Sequence, residues 1–133
     1  MKKRNIYRRR CRTCNEYFTA FNTRREFCPD TNCDDVWNNA KKWIMKQVDL
    51  FGAINQVELD ELILARLCTG KTASVKRYML EVHGFGFMGK RMEPLEAINR
   101  HYPEYHYKSF CVRELPRDHY IIIRQNDNDR EFH

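Results

Sequence analysis

The chain has 133 residues, 42% of them apolar, and a formal net charge of +6. That length suits one compact domain, or a small metal module fused to one. No run approaches the eighteen apolar residues of a membrane span, and no apolar segment follows the basic N-terminus as a secretory signal requires, so a soluble cytoplasmic protein is expected.

The positive charge sits at the start. Lys2, Lys3, Arg4, Arg8, Arg9, Arg10 and Arg12 are seven basic residues among the first fourteen, with no acid, and the remainder holds seventeen basic against eighteen acidic residues. Residues 1–10 read as a disordered arm attracted to phosphate, against the plainer reading of a solubilising tail.

Next comes Cys11-Arg12-Thr13-Cys14, thirteen residues, then Cys28-Pro29-Asp30-Thr31-Asn32-Cys33. Two close cysteine pairs, each from one tight turn, are the usual way four thiolates meet on one Zn²⁺. Two disulfides or free thiols are the alternatives. The intervening Tyr17, Phe18, Phe21 and Phe27, with a turn at Asn22-Thr23-Arg24, suggest a short hairpin too small to fold without metal. Asp34 and Asp35 suit the first turn of a helix, so the fourth ligand falls at a helix start. Cys11-x-x-Cys14, Phe18, Arg25-Glu26-Phe27-Cys28 and Cys33 resemble the small treble-clef zinc fingers, over residues 11–45. The four residues between Cys28 and Cys33 exceed the commoner two or three. The resemblance implies one structural Zn²⁺ on Cys11, Cys14, Cys28 and Cys33.

The pattern Val36, Ala40, Trp43, Ile44, Gln47, Val48 and Phe51 predicts a helix from about Asp34 to Phe51, stopped by Gly52, whose later turns enter the next core. Asn55-Gln56-Val57-Glu58 reads as a capping box opening a second helix to about Cys68. Val57, Leu62, Ile63, Ala65 and Leu67 supply its apolar surface, and Glu58, Asp60 and Glu61 its exposed acidic face. After Thr69-Gly70-Lys71, a third helix is expected from Ala73 to about His83, with Val75, Tyr78, Met79 and Val82 inward. Two helices joined by a glycine-containing turn describe a helix-turn-helix, or equally a plain helical hairpin.

Gly84-Phe85-Gly86-Phe87-Met88-Gly89 fits G-x-G-x-x-G, but a helix precedes it where a nucleotide fingerprint needs a strand. A strand and glycine turn with Lys90 and Arg91 at its tip is the better reading. In order and length, residues 34–92 resemble a winged-helix domain. Pro94 to Arg100 suggests a short helix, Tyr105–Leu115 and Tyr120–Gln125 two strands about Pro116-Arg117-Asp118, and residues 126–133 a frayed polar tail. The expected fold class is α+β: a treble-clef finger continuous with a winged-helix-like body, then residues 93–125 as short helix and hairpin.

A closed four-thiolate site leaves no position for water, and no nucleophile has an evident base, so a non-enzyme without small-molecule substrate is expected. His101, His106, His119 and His133 lie near Cys111, but no pair has ligand-like spacing on a defined turn, so exposed histidines are expected there rather than a second metal site. Cys68 and Cys111 read as buried apolar residues. The resemblance implies a DNA-binding transcription regulator, similar to small regulators of archaea and their viruses. Ser74, Lys76 and Arg77 would meet bases from the second helix of the pair, with Lys71 meeting DNA from just before it, and the arm with Lys90 and Arg91 would meet phosphate. RNA is a further partner, homodimerisation stays open, and no membrane is involved. The alternative is an assembly or adaptor protein whose arm only tethers nucleic acid.

Overall fold

The computed structural model describes residues 6–22, 24–29, 31–95 and 101–125. Lys2, Lys3 and Arg4, most of the expected helix at 94–100, and the tail 126–133 lie outside the described residues. The described part is a mixed α/β structure with three helices and two sheets.

The first sheet is a ribbon of β1 (Tyr7–Arg10) and β2 (Tyr17–Ala20), antiparallel, with Arg10 opposite Tyr17 and Arg8 opposite Thr19. Arg8, Arg9 and Arg10 therefore belong to a strand and not to a disordered arm. The hairpin folds around Cys11–Cys14 and not between Cys14 and Cys28, because the strand that pairs with β2 comes from the basic segment. Period-two alternation explains the placement. Phe18 and Ala20 point into the cysteine cluster, while Arg8, Arg10, Tyr17 and Thr19 share the opposite, exposed face.

Helix α1 (Cys33–Phe51) starts at the fourth cysteine and ends at Gly52, whose φ of 72° suits a residue without Cβ. Only Cys33 and Ala40 are fully buried in it, with Trp43 packed against the main core. Its last turns do not enter that core: Met45, Val48, Leu50 and Phe51 are exposed. Helix α2 (Gln56–Leu67) begins as its sequence suggests, with the Asn55 side chain accepting from the Glu58 N–H. Its buried face is Asp60, Ile63 and Leu64, and Val57 and Ala65 face out. Asp60, expected on the acidic face, is wholly buried.

The segment expected as a third helix divides. Thr72–Lys76 is strand β3, and only Arg77–Val82 is helical, as α3. Thr72, Ala73, Ser74 and Val75 pair with Ile123, Ile122, Ile121 and Tyr120 of β7 (His119–Arg124). The β-branched residues in this run favour extended backbone, and the β7 isoleucines offer it a partner. A six-residue helix led by a strand is not the recognition helix of a helix-turn-helix. Leu80 and Val82 are its fully buried side chains.

The second sheet is antiparallel, in the order β3–β7–β6–β5–β4, with β4 at Lys90–Met92, β5 at Glu104–His106 and β6 at Phe110–Leu115. Lys90 and Arg91 thus lie on an edge strand and not at a wing tip. Val112, Tyr120 and Ile122 on one face join Ile63, Leu64 and Leu80 of the helices in the core. Between α3 and β4, residues 84–89 form a loop over that core. Asp60 holds it: Oδ1 accepts from the Gly86 N–H (2.8 Å) and Oδ2 from the Met88 N–H (2.9 Å). Phe87, between them, has a φ of 53°, strained for a bulky residue, and sits among Phe85, Tyr105 and Tyr120. A Cβ on Gly89 would lie 2.6 Å from the Tyr107 ring, and one on Gly86 would lie 2.6 Å from Gln56. The glycines of this loop serve close packing.

Candidate metal centre and basic face

Cys11 and Cys14 sit on the tight turn between β1 and β2. The Cys11 N–H donates to the Glu16 carbonyl (2.8 Å), the Asn15 N–H donates to the Cys11 carbonyl (3.0 Å), and Asn15 takes a φ of 67°. Asn tolerates that conformation better than most residues. Cys28 follows the return of the chain, which is pinned by the Arg12 N–H to the Glu26 carbonyl (3.0 Å), and Cys33 opens α1. The four sulfurs come within 4.8 Å of one another and could hold one metal ion. Cys14 and Cys28 sulfurs are 3.8 Å apart, and Cys28 and Cys33 sulfurs 3.6 Å. A disulfide needs about 2.05 Å. A tetrahedron with metal–sulfur bonds of about 2.3 Å has edges of about 3.8 Å, so the spacing is that of a thiolate cage.

The electrostatics agree. Burial alone would raise the Cys11 thiol, but hydrogen bonds from the backbone of Cys14, Cys28 and Thr13 bring its pKa down to about 6. Burial pushes Cys14 up to about 12, and Cys33 upward as well, with neighbouring thiols adding to the rise. Cys11 thus ionises readily while Cys14 and Cys33 resist, because burial first, and neighbouring thiols second, disfavour their charged forms. A dication among the sulfurs removes that cost.

Two threonines support the cage. The buried Thr13 hydroxyl donates to the Cys33 carbonyl (2.7 Å), tying the first cysteine pair to the helix that carries the last ligand. The Thr31 hydroxyl donates to the Cys28 carbonyl (3.0 Å) and lies 3.0 Å from the Cys28 sulfur. Outer partners of this kind orient metal ligands. Their presence inside each cysteine turn was the available sequence signal.

The exposed face of the ribbon is basic and aromatic. The guanidinium groups of Arg8 and Arg10 lie 4.5 and 4.7 Å from the Tyr17 ring centre, and Arg10 also donates to the Tyr17 hydroxyl (2.8 Å). Among the described residues neither arginine pairs with a carboxylate. Beside them, Arg12 and Lys41 each stack at 4.6 Å on Trp37, and Arg12 pairs with Glu26. Tyr17 and Trp37 escaped sequence reasoning because the pairing register that sets Tyr17 against Arg10 is not written in residue spacing.

The other expected nucleic-acid contacts are dispersed. Lys71, Ser74 and Lys76 are exposed on or beside edge strand β3, and Lys90 is exposed on the opposite edge. Charges there discourage edge-to-edge pairing. Arg77 is part-exposed but already engaged: it donates to Glu81 and to the Tyr120 hydroxyl (2.8 Å), and lies over Phe87. Arg91 is held by Glu93, Glu114 and the Tyr105 hydroxyl. A cleft of about 560 Å³ separates the cysteine cluster from Lys76, Arg77 and the Arg117–His119 turn. No helix among the described residues is long and apolar enough to cross a membrane. Comparison with protein-family models, with curated proteins and with solved structures found no match.

Proposed function

We propose that this is a nucleic-acid-binding protein in which a structural Zn²⁺ on Cys11, Cys14, Cys28 and Cys33 fixes a two-stranded ribbon whose exposed face grips phosphate. The treble-clef resemblance supports zinc, as does a donor set of four thiolates. The observation that carries the function is the pair Arg8 and Arg10, stacked on Tyr17 and without carboxylate partners among the described residues. Stacking restrains two flexible side chains beforehand, so less entropy is lost when they meet phosphate. The face lies opposite the side that packs on the thiolates, so its charge is directed outward. With Ser74 and Lys76 on a strand and Arg77 engaged by Glu81 and Tyr120, contacts to the backbone of DNA replace base reading in this proposal, and the transcription-regulator expectation gives way to sequence-tolerant binding.

The test is an anisotropy titration of the zinc-loaded protein with labelled mixed-sequence duplex DNA, single-stranded DNA and single-stranded RNA, at several salt concentrations. Binding that weakens linearly in log–log form is expected. Absence of binding to all three at low salt rejects the proposal.

A second reading, an assembly or adaptor protein, is favoured by the end of α1, where Met45, Leu50 and Phe51 are each more than 60% exposed. Apolar side chains gathered at a helix end suit a protein partner. Under that reading, Met45→Lys and Phe51→Glu would abolish a partner contact while leaving nucleic-acid affinity unchanged.

A further inference from the structure

The outer face of the large sheet carries a second cluster of ligating groups. Along β5, Glu104 and His106 point to the same side, and across the ladder Arg113 stands opposite Glu104 and Cys111 opposite His106. This side is the reverse of the one that buries Val112 and Ile122. The His106 Nε2 lies 3.0 Å from a Glu104 carboxylate oxygen and 3.8 Å from the Cys111 sulfur. One ligand atom from each residue falls within 4.8 Å of the others.

Those separations, 3.0 and 3.8 Å, bracket what one small ion imposes, so shifts of a few tenths of an ångström would seat it. With metal–nitrogen and metal–oxygen bonds of about 2.0–2.2 Å and a metal–sulfur bond of about 2.3 Å, tetrahedral donors stand about 3.3–3.6 Å apart. The other Glu104 oxygen accepts from Arg113 Nε at 2.9 Å, so the carboxylate is oriented with one oxygen left for the cluster. Glu104 and Cys111 are both buried, and a carboxylate with a thiolate neutralises a dication in that setting.

We infer that Glu104, His106 and Cys111 form a second metal site, separate from the four-cysteine cluster, for a divalent cation of the zinc or cobalt class. Mixed nitrogen, sulfur and carboxylate donors select that class over magnesium or calcium. Three protein ligands leave one position open, to water or to an exchangeable ligand, whereas the four-cysteine site is closed. Arg113 acts as a positioning residue, through the carboxylate.

The alternative is a plain hydrogen-bond network, with Arg113 and His106 both donating to Glu104 and Cys111 beside the ring as a weak partner. Metal stoichiometry separates the two. The full chain is loaded with excess Zn²⁺, desalted and measured by elemental analysis, with a parallel Co²⁺ titration followed by absorption. Two equivalents per chain are expected. His106→Gln and Cys111→Ser should each hold one, and Cys28→Ser should keep the equivalent that those two lose. Arg113→Gln should weaken the second equivalent by about 10–100-fold without touching the first. His106 is partly exposed, so His106→Gln disturbs packing least and serves if Cys111→Ser fails to fold. One equivalent in the parent chain, unchanged in His106→Gln, overturns the inference, as do two equivalents retained in both ligand variants.

Discussion

Removal of the Asp60 carboxylate is expected to be the most damaging single change away from the metal. Asp60 is wholly buried and accepts four hydrogen bonds: from Gln56 Nε2 (2.8 Å), the Gly86 N–H (2.8 Å), the Met88 N–H (2.9 Å) and the Tyr107 hydroxyl (2.7 Å). Burial, and then the nearby Asp60, push the Tyr107 hydroxyl pKa upward, so it remains a donor. In Asp60→Ala, Gln56 keeps its bond to the Gly84 carbonyl and the N–H groups of the exposed Gly86 and Met88 turn to water, but the buried Tyr107 hydroxyl loses this acceptor. The orphaned hydroxyl costs about 1–3 kcal/mol and the lost bonds of Gly86 and Met88 about 0.5–1.5 kcal/mol each, so the variant should lose about 2–6 kcal/mol, a large part of the 5–15 kcal/mol that typically holds a domain. Asp60→Asn keeps one acceptor oxygen and turns an amide toward two donors. Tyr107 can rotate its proton away to accept, and the Met88 N–H cannot, so about 1–3 kcal/mol is expected. Urea unfolding of the zinc-loaded protein measures both, and at m of about 1–3 kcal/mol/M the Ala variant should lose roughly 2 M in midpoint. Combining Asp60→Ala with Tyr107→Phe should cost less than the sum, because the two share a bond. An Asp60→Ala midpoint within about 0.5 M of the parent, or strict additivity, would refute the view that this carboxylate anchors the 84–89 loop.

Cys28→Ser should lose the four-cysteine metal and melt the ribbon, seen as zinc lost in elemental analysis and as protease cutting after Arg8 to Arg12; full zinc retention would contradict the assignment. Acidification should release that metal, since protons compete for thiolates, and a site indifferent to pH would argue for other ligands. His83 is buried, donates from Nδ1 to the Met79 carbonyl (2.8 Å) and accepts from Arg66 (3.2 Å), and burial lowers its pKa below the ordinary value of 6.5. The neutral ring is therefore favoured when folded, and its stabilisation is full above about pH 6.5 and lost as pH falls through the lowered folded value. An NMR titration of His83 giving a value at or above 6.5 would contradict this. Arg77→Ala should destabilise the fold by about 1–2 kcal/mol, through Tyr120 and Glu81, and leave nucleic-acid affinity nearly unchanged; a selective loss on one DNA sequence would restore a base-reading role.

The cysteine cluster was legible because metal ligation is written in spacing: two short turns, each with its pair. So were the Asn55 cap and the Gly52 stop, which depend on local backbone chemistry. The helix expected at 73–83 failed because Val75, Tyr78, Met79 and Val82 have helical spacing, while Thr72 to Lys76 is claimed by the distant Ile121–Ile123. Asp60 looked like one more acid on a polar face, since its partners Gly86, Met88 and Tyr107 lie twenty-six or more positions along the chain. The grouping of Glu104, His106 and Cys111 escaped for the same reason: two lie at alternate positions of one strand and the third across the ladder, so only the register brings them together.

Arg8 and Arg10 on the Tyr17 face decide the central claim, and the salt dependence of DNA binding reads them directly. Affinity for mixed-sequence duplex is measured across a salt series for the parent, for Arg8→Gln with Arg10→Gln, and for Lys76→Gln with Lys90→Gln. Each phosphate contact contributes about 0.9 to the slope of log affinity against log salt. The arginine pair should make the slope shallower by about 1.8 and weaken binding at every salt concentration, while the lysine pair on the sheet edges leaves both nearly unchanged. An arginine double variant with the parent's slope and affinity would contradict the claim that the metal-tied ribbon is the nucleic-acid surface.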